Sequence, residues 1–184
     1  MPQYYIPKKE FKIISYEEIK PYVDLAPDLE TKVVIALAWL TGARIQEIVN
    51  LRAEDFLIDK ENDRVVITIR ALKHGDVGYP TFSFSDPFIS NLIIPYLEGK
   101  HGKLFSRGKR RYQQILQELN MKIHGLDTSK WITFHYLRHS RLTFLARELR
   151  AFPEELKSWT GHRSQAFEEY FAPRRVERFK GKIR

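Results

Sequence analysis

Five short stretches hold side chains able to act on a phosphodiester. FHYLRHSRLTF sets His135 and Arg138 three residues apart. TGARIQEI, far upstream, contributes Arg44 and Glu47, and LKHGDVG contributes Lys73. Downstream, GHRS contributes His162 and FEEYF contributes Tyr170. A guanidinium offers a planar fork to phosphate oxygens and keeps its proton at neutral pH. Imidazole moves a proton near neutrality. A phenol, with a pKa of about 10, attacks poorly until its developing charge is offset, and arginines around a phosphate offset it. A lysine ammonium can give a proton to a departing oxygen. The set suits gripping a phosphodiester and attacking it with Tyr170.

Each residue taken alone has a plainer explanation. Arg44 fits a surface salt bridge to Glu47 as well as a phosphate fork. His135 fits a partly buried imidazole bonded to a backbone carbonyl. Tyr170 is one of nine tyrosines, and Lys73 fits a solvated turn. His135 and His139 have the four-residue spacing of a helical metal pair, but Tyr136 stands where the zinc motif HExxH has glutamate.

These residues need a scaffold, and 184 residues suffice for one domain with a sizeable core. Hydrophobic residues make up 43% of the chain, which excludes a disordered composition. There is no cysteine, hence no disulfide, thiolate metal site or cysteine nucleophile, and this fits an intracellular protein. No apolar run approaches a membrane span, and MPQYYIPKKE lacks a signal core. The formal net charge is +8, and it is concentrated. The windows 100–111 and 174–184 hold twelve of the 31 Lys and Arg and one of the 23 Asp and Glu. Clustered positive charge suits a surface that meets a polyanion, or a solvated basic face and tail.

Residues 1–14 read as an arm or linker. Ser15 with Glu18 forms a capping box that opens a helix. Residues 28–40 read as a buried helix stopped by Gly42, and RIQEIVNL follows with Ile45, Ile48 and Val49 inward. DFLID, DRVVITIR and YPTFSF read as strands joined by a polar turn over 60–63 and a glycine turn at LKHGDVG. Asp86–Pro87 starts a helix that reaches Leu97 or stops short at Pro95. Further helices are expected over 109–122, 133–149, from Pro153 to Gly161, and over 164–171. The fold class is α+β, mainly helical with a small three-stranded antiparallel sheet.

Taken in order, the motifs resemble the catalytic domain of tyrosine recombinases, the integrase and Xer-type site-specific recombinases. TGARIQEIVNL resembles the first arginine motif, the Lys73 turn the β-hairpin lysine, and HYLRH the His-x-x-Arg box. WTGHRS resembles the Gly-His box, EEYF the nucleophile segment, and LFSRGKRRYQQILQEL the basic loop and helix between. The resemblance implies a catalytic domain over 15–172, with an arm at 1–14 and a basic tail at 173–184. It implies that Arg44, Arg138 and His162 hold the scissile phosphate while Tyr170 forms a 3′-phosphotyrosyl link. Lys73 would protonate the leaving 5′-oxygen, and His135 would assist as base or position the phosphate. Glu47 and His139 would support these groups, with Arg107, Lys109, Arg110, Arg111, Arg141 and Arg163 on DNA. It implies no metal, cofactor or ATP. The expected partner is double-stranded DNA at an attachment or recombination site, bound as a tetramer in the cytoplasm of a prokaryotic or viral host cell, with no membrane.

The sequence departs from the family pattern in two places. The gap from His162 to Tyr170 is one residue shorter than the common spacing, and GYPTFSF lacks the usual arginine before the third strand. The family's N-terminal DNA-clamping domain is not in the sequence, so an excised catalytic fragment or a minimal form is expected. Relaxation of supercoils as in type IB topoisomerases, a non-catalytic DNA-binding module and a metal-dependent hydrolase are the alternative readings.

Overall fold

A computed structural model describes residues 12–72 and 75–161 of the chain. Helix α1 (Tyr16–Leu25) starts where Ser15 accepts the Glu18 backbone N–H at 3.2 Å. Helix α2 (Leu29–Thr41) starts at Asp28, whose carboxylate accepts the Thr31 N–H. It is buried on nearly every side, with Val33 to Ala38 at most 1% exposed, as expected of a helix apolar all round. Gly42, at φ +67°, ends it in the left-handed conformation that glycine adopts without strain. Helix α3 (Ile45–Val49) follows at once and buries Ile45, Ile48 and Val49.

The sheet is a meander of three antiparallel limbs. β1 (Phe56–Asp59) pairs with β2 (Arg64–Ile67), and β2 pairs with β5 (Thr81–Ser83). Beyond Thr68 the second and third limbs continue as β3 (Ile69–Arg70) against β4 (Val77–Gly78), with Ile69 opposite Gly78. Pro80, which has no N–H to donate, lies between β4 and β5 where the ladder breaks. Val65, Ile67 and Phe82 turn inward while Arg64 and Thr81 face out, the two-residue alternation of a sheet with one wet face.

Pro95 does not shorten the next helix. The turn widens to a π-helix over Ile89–Ile93, and Pro95 becomes the second residue of α4 (Ile94–Leu97), where no intrahelical donor is required. Helix α5 (Lys109–His124) and helix α6 (Phe134–Arg147, capped by the Thr133 hydroxyl) carry the second half of the core. Helix α7 (Pro153–Thr160) ends at Gly161, φ +63°. The helix expected over 164–171 lies outside the described residues.

The start of α6 is set by a buried amide. Asn120 on α5 accepts the Tyr22 hydroxyl at 2.6 Å and the Ile132 N–H at 2.9 Å, and it donates to the Ile132 carbonyl at 2.7 Å. This satisfied network ties α1, α5 and the segment entering α6 together, which fixes where the first turn of α6 points. Ser140 on α6 accepts the Ile14 N–H at 2.7 Å, and Trp39 on α2 donates to the Ile14 carbonyl at 2.8 Å, so residue 14 is bound to both helices.

Candidate active site

The site begins where α2 stops. Turning the chain at Gly42 puts Arg44 at the N-terminal cap of α3, with its guanidinium a quarter exposed. Glu47 lies one turn on and its side chain is 1% exposed. Its carboxylate accepts the Arg44 backbone N–H at 2.8 Å and the Arg44 Nη1 at 3.0 Å. One buried anion therefore fixes both the backbone and the fork of Arg44. The same carboxylate accepts the Leu72 N–H at 3.4 Å. Leu72 is the residue before Lys73, so the root of the hairpin hangs from the group that orients Arg44.

Helix α6 meets this turn from the other side. Arg138, buried at 7% exposure, donates from Nη1 to the Gly42 carbonyl at 2.7 Å. A Cβ at Gly42 would lie 3.0 Å from the Arg141 Cβ, so the absence of a side chain there lets α6 approach. Arg141 donates from Nε to the Trp39 carbonyl at 2.8 Å and lies between the rings of Trp39 and Phe144, 4.8 and 5.1 Å from their centroids. Burial pushes its guanidinium down to about 10, against the opposing pull of Asp86. Arg141 is thus packed against α2 as a tether between the helices.

Helix α7 closes a third side. Trp159 donates from Nε1 to the Thr41 carbonyl at 2.7 Å, and its ring meets Phe82 edge-on. The Tyr79 N–H donates to the Ser158 carbonyl at 3.2 Å. A Cβ on Gly78 would lie 2.2 Å from the Trp159 carbonyl oxygen, and one on Gly161 would lie 2.9 Å from the Gly78 nitrogen. Strand β4 and the end of α7 therefore touch backbone to backbone, a contact only glycine permits. Gly78→Ala is expected to cost about 1–3 kcal/mol, from the push on backbone that cannot yield. Urea unfolding checks this, and an unchanged midpoint would contradict it.

His135 and His139 face each other on α6 with Nε2 atoms 2.7 Å apart and perpendicular rings. One proton lies between two nitrogens at that distance. Burial pushes His139 down to about 4, and the charges of His135 and Arg138 push the same way. An unfolded histidine takes its proton near pH 6.5, so below that the unfolded chain binds more protons than the folded one. Acid therefore destabilises the fold between pH 6.5 and about 4. Thermal melts across that window are expected to fall, and His139→Gln is expected to flatten the fall. Superimposable profiles for the two proteins would refute this.

The structure thus brings Arg44, Glu47, Arg138 and the root of the hairpin to one corner, with Gly161 packed on β4 beside it. Lys73, His162, Arg163 and Tyr170 lie outside the described residues. Of the basic residues expected on DNA, Lys109 and Arg110 are exposed at the start of α5. Arg107 is paired with Asp28 at 2.8 Å and Arg111 with Glu118 at 3.3 Å. Sequence reasoning missed the carbonyls of Thr41 and Gly42 as anchors. The glycine stop at Gly42 was their one visible signal.

Residues 13–172 match the phage integrase family. The chain belongs to that family. The match takes in all six residues expected to be catalytic and ends two residues past Tyr170. Tyrosine recombinase XerA of Pyrococcus furiosus is 27% identical over 149 residues, 76% of this chain and 50% of that protein. Transposase A from transposon Tn554 of Staphylococcus aureus is 24% identical over 165 residues, 78% of this chain and 43% of that protein. The chain spans about half the length of the curated relatives it matches. Solved structures with a similar fold include the following two. XerH site-specific recombinase, in a pre-cleavage complex with its difH substrate, gives a TM-score of 0.67 at 19% identity, over 92% of this chain and 52% of that one. The catalytic domain of bacteriophage HP1 integrase gives 0.57 at 18%, over 89% and 86%. Both are consistent with the helical body and small antiparallel sheet described above. No helix among the described residues of this integrase-family chain is long and apolar enough to cross a membrane.

Proposed function

We propose that this chain is the catalytic part of a site-specific DNA recombinase that cleaves and rejoins strands through a 3′-phosphotyrosyl intermediate. The observation that carries the reading is the corner where the clamped Arg44 meets Arg138. Two guanidinium groups, 94 residues apart in sequence, are anchored on one turn of chain: Arg44 on Glu47, and Arg138 on the carbonyl of Gly42, two residues before Arg44. Donors fixed before the substrate arrives stabilise a pentacoordinate phosphorane at no reorganisation cost. Arg44 and Arg138, with His162, hold the scissile phosphate. Tyr170 attacks phosphorus and Lys73 gives a proton to the departing 5′-oxygen. His135 takes up the phenol proton as base or positions the phosphate, with His139 as its hydrogen-bond partner. The 5′-hydroxyl of a second strand then attacks the phosphotyrosine, releases Tyr170 and restores a phosphodiester, so the bond energy is conserved.

The partner is double-stranded DNA at an attachment or recombination site, in the cytoplasm of its host cell. Exchange of two duplexes calls for four active sites, and hence a tetramer on DNA. Lys109, Arg110 and Arg163 contribute phosphate contacts, and their sequence-independent attraction makes binding fall steeply with salt. The reading is tested with an oligonucleotide duplex carrying a nick close to a candidate site, so that the cleaved fragment diffuses away. A protein–DNA species that survives denaturation and disappears on protease treatment is expected. DNA binding with no covalent species under any condition would favour a non-catalytic binding module.

A further inference from the structure

The basic window splits in two when its charges are traced. Arg107 and Arg111 are held in ion pairs, whereas Lys103, Lys109 and Arg110 are exposed and make no ion pair among the described residues. Lys109, Arg110 and Arg111 form the first turn of α5, which contains no acid and has Gly108 as a cap without a side-chain hydrogen bond. Cations at the positive end of a helix dipole are unfavourable in the free protein. Some other contact must hold that end in place.

That contact is Glu30, in the first turn of α2. Its carboxylate accepts the Ser106 N–H at 2.9 Å, the Ser106 hydroxyl at 3.0 Å and the Tyr112 hydroxyl. Arg107 lies 3.9 Å away and is locked to Asp28, the α2 cap, at 2.8 Å. Burial pushes Glu30 up, but the bonds from Tyr112 and Ser106 and the charge of Arg107 outweigh it and hold the group below the usual carboxylate range. Ser106 lies in the loop entering α5 and Tyr112 sits one turn inside it, so a single carboxylate grips both sides of the basic turn. The other end of α2 is Gly42, which anchors Arg138. Thirteen residues of helix, about 20 Å, separate the two grips.

We propose that Glu30 is a positioning residue for DNA binding, presetting the loop before α5 so that Lys103, Lys109 and Arg110 meet the DNA backbone as one unit. This rests on the recombinase reading, since it takes DNA as the partner. Glu30 touches no reacting atom, and its effect falls on binding rather than on the covalent step. The test uses the whole chain with a duplex of about 30 base pairs, measuring affinity across a salt series and adduct formation at saturating DNA. Glu30→Ala is expected to weaken binding about tenfold and to lower the salt slope by roughly one to two, with the saturated adduct rate within about twofold of wild type. Glu118→Ala, which breaks only the Arg111 pair on the same helix, is expected to leave affinity within about twofold. If Glu30→Ala fails to fold, Tyr112→Phe and Ser106→Ala decide the matter, each removing one donor and keeping the carboxylate. Unchanged affinity and salt slope in folded variants would overturn the proposal. So would a fall in the saturated adduct rate equal to the fall in affinity. A wild-type chain that binds no duplex at all would instead sink the recombinase reading, and this proposal with it.

Discussion

Arg138→Ala is expected to lower the rate of covalent adduct formation by about two to three orders of magnitude, the loss found when one preorganised donor is removed from a charge-developing transition state. The substitution removes a buried guanidinium whose Nη1 is spent on the Gly42 carbonyl. That bond fixes the group, which on the proposed reading holds the scissile phosphate. Arg138→Lys is expected to restore little, because an ammonium cannot hold the carbonyl and a phosphate in one plane. Stability should fall by only about 1–3 kcal/mol, the cost of leaving a buried carbonyl unpaired. Single-turnover kinetics at saturating DNA, alongside a melt, separate the two effects. A rate within a few-fold of wild type would remove Arg138 from the chemistry.

The second large effect falls on Glu47. Glu47→Gln keeps the shape of the side chain and removes its charge. The Arg44 N–H, the Arg44 Nη1 and the Leu72 N–H all converge on this carboxylate, and an amide presents one acceptor oxygen to three donors. Arg44 is expected to lose its fixed orientation, and a misplacement of about 1 Å is enough to slow the covalent step roughly hundredfold. Because the hairpin root shares the carboxylate, Arg44 and the Lys73 segment should be disturbed together. Glu47→Gln combined with Lys73→Ala is therefore expected to lose less than the product of the two separate losses. Rates that multiply independently would show that Glu47 does not couple the two segments.

Local signals in the sequence carried over well into the fold. Ser15, Asp28, Thr133 and Pro153 open helices, Gly42 and Gly161 close them, and the alternation in DRVVITIR gives an edge of the core. These are features that a residue and its near neighbours decide. The illegible features join distant residues. Glu30 and Ser106 are 76 positions apart, Trp159 and Thr41 are 118, and no period or spacing relates them. The basic window is an instructive case. Composition counted six cations in it, but only the tertiary structure shows that Asp28 and Glu118 pair with Arg107 and Arg111, while the other four make no ion pair among the described residues. Arg141 was expected to reach DNA from its place on the helix of the His-x-x-Arg box. Over Gly42 it packs between Trp39 and Phe144 and donates to the Trp39 carbonyl, 102 positions away. Pro95 failed as a helix stop because a single widened turn removed the need for its missing donor.

The most direct test is to find which residue carries the DNA. The adduct formed on a nicked duplex is digested with nuclease and protease, and the nucleotide-bearing peptide is sequenced by mass spectrometry. The nucleotide is expected on Tyr170, with no adduct from Tyr170→Phe, which should still bind DNA. A nucleotide on Tyr112 or Tyr136, or an adduct that persists in Tyr170→Phe, would contradict it.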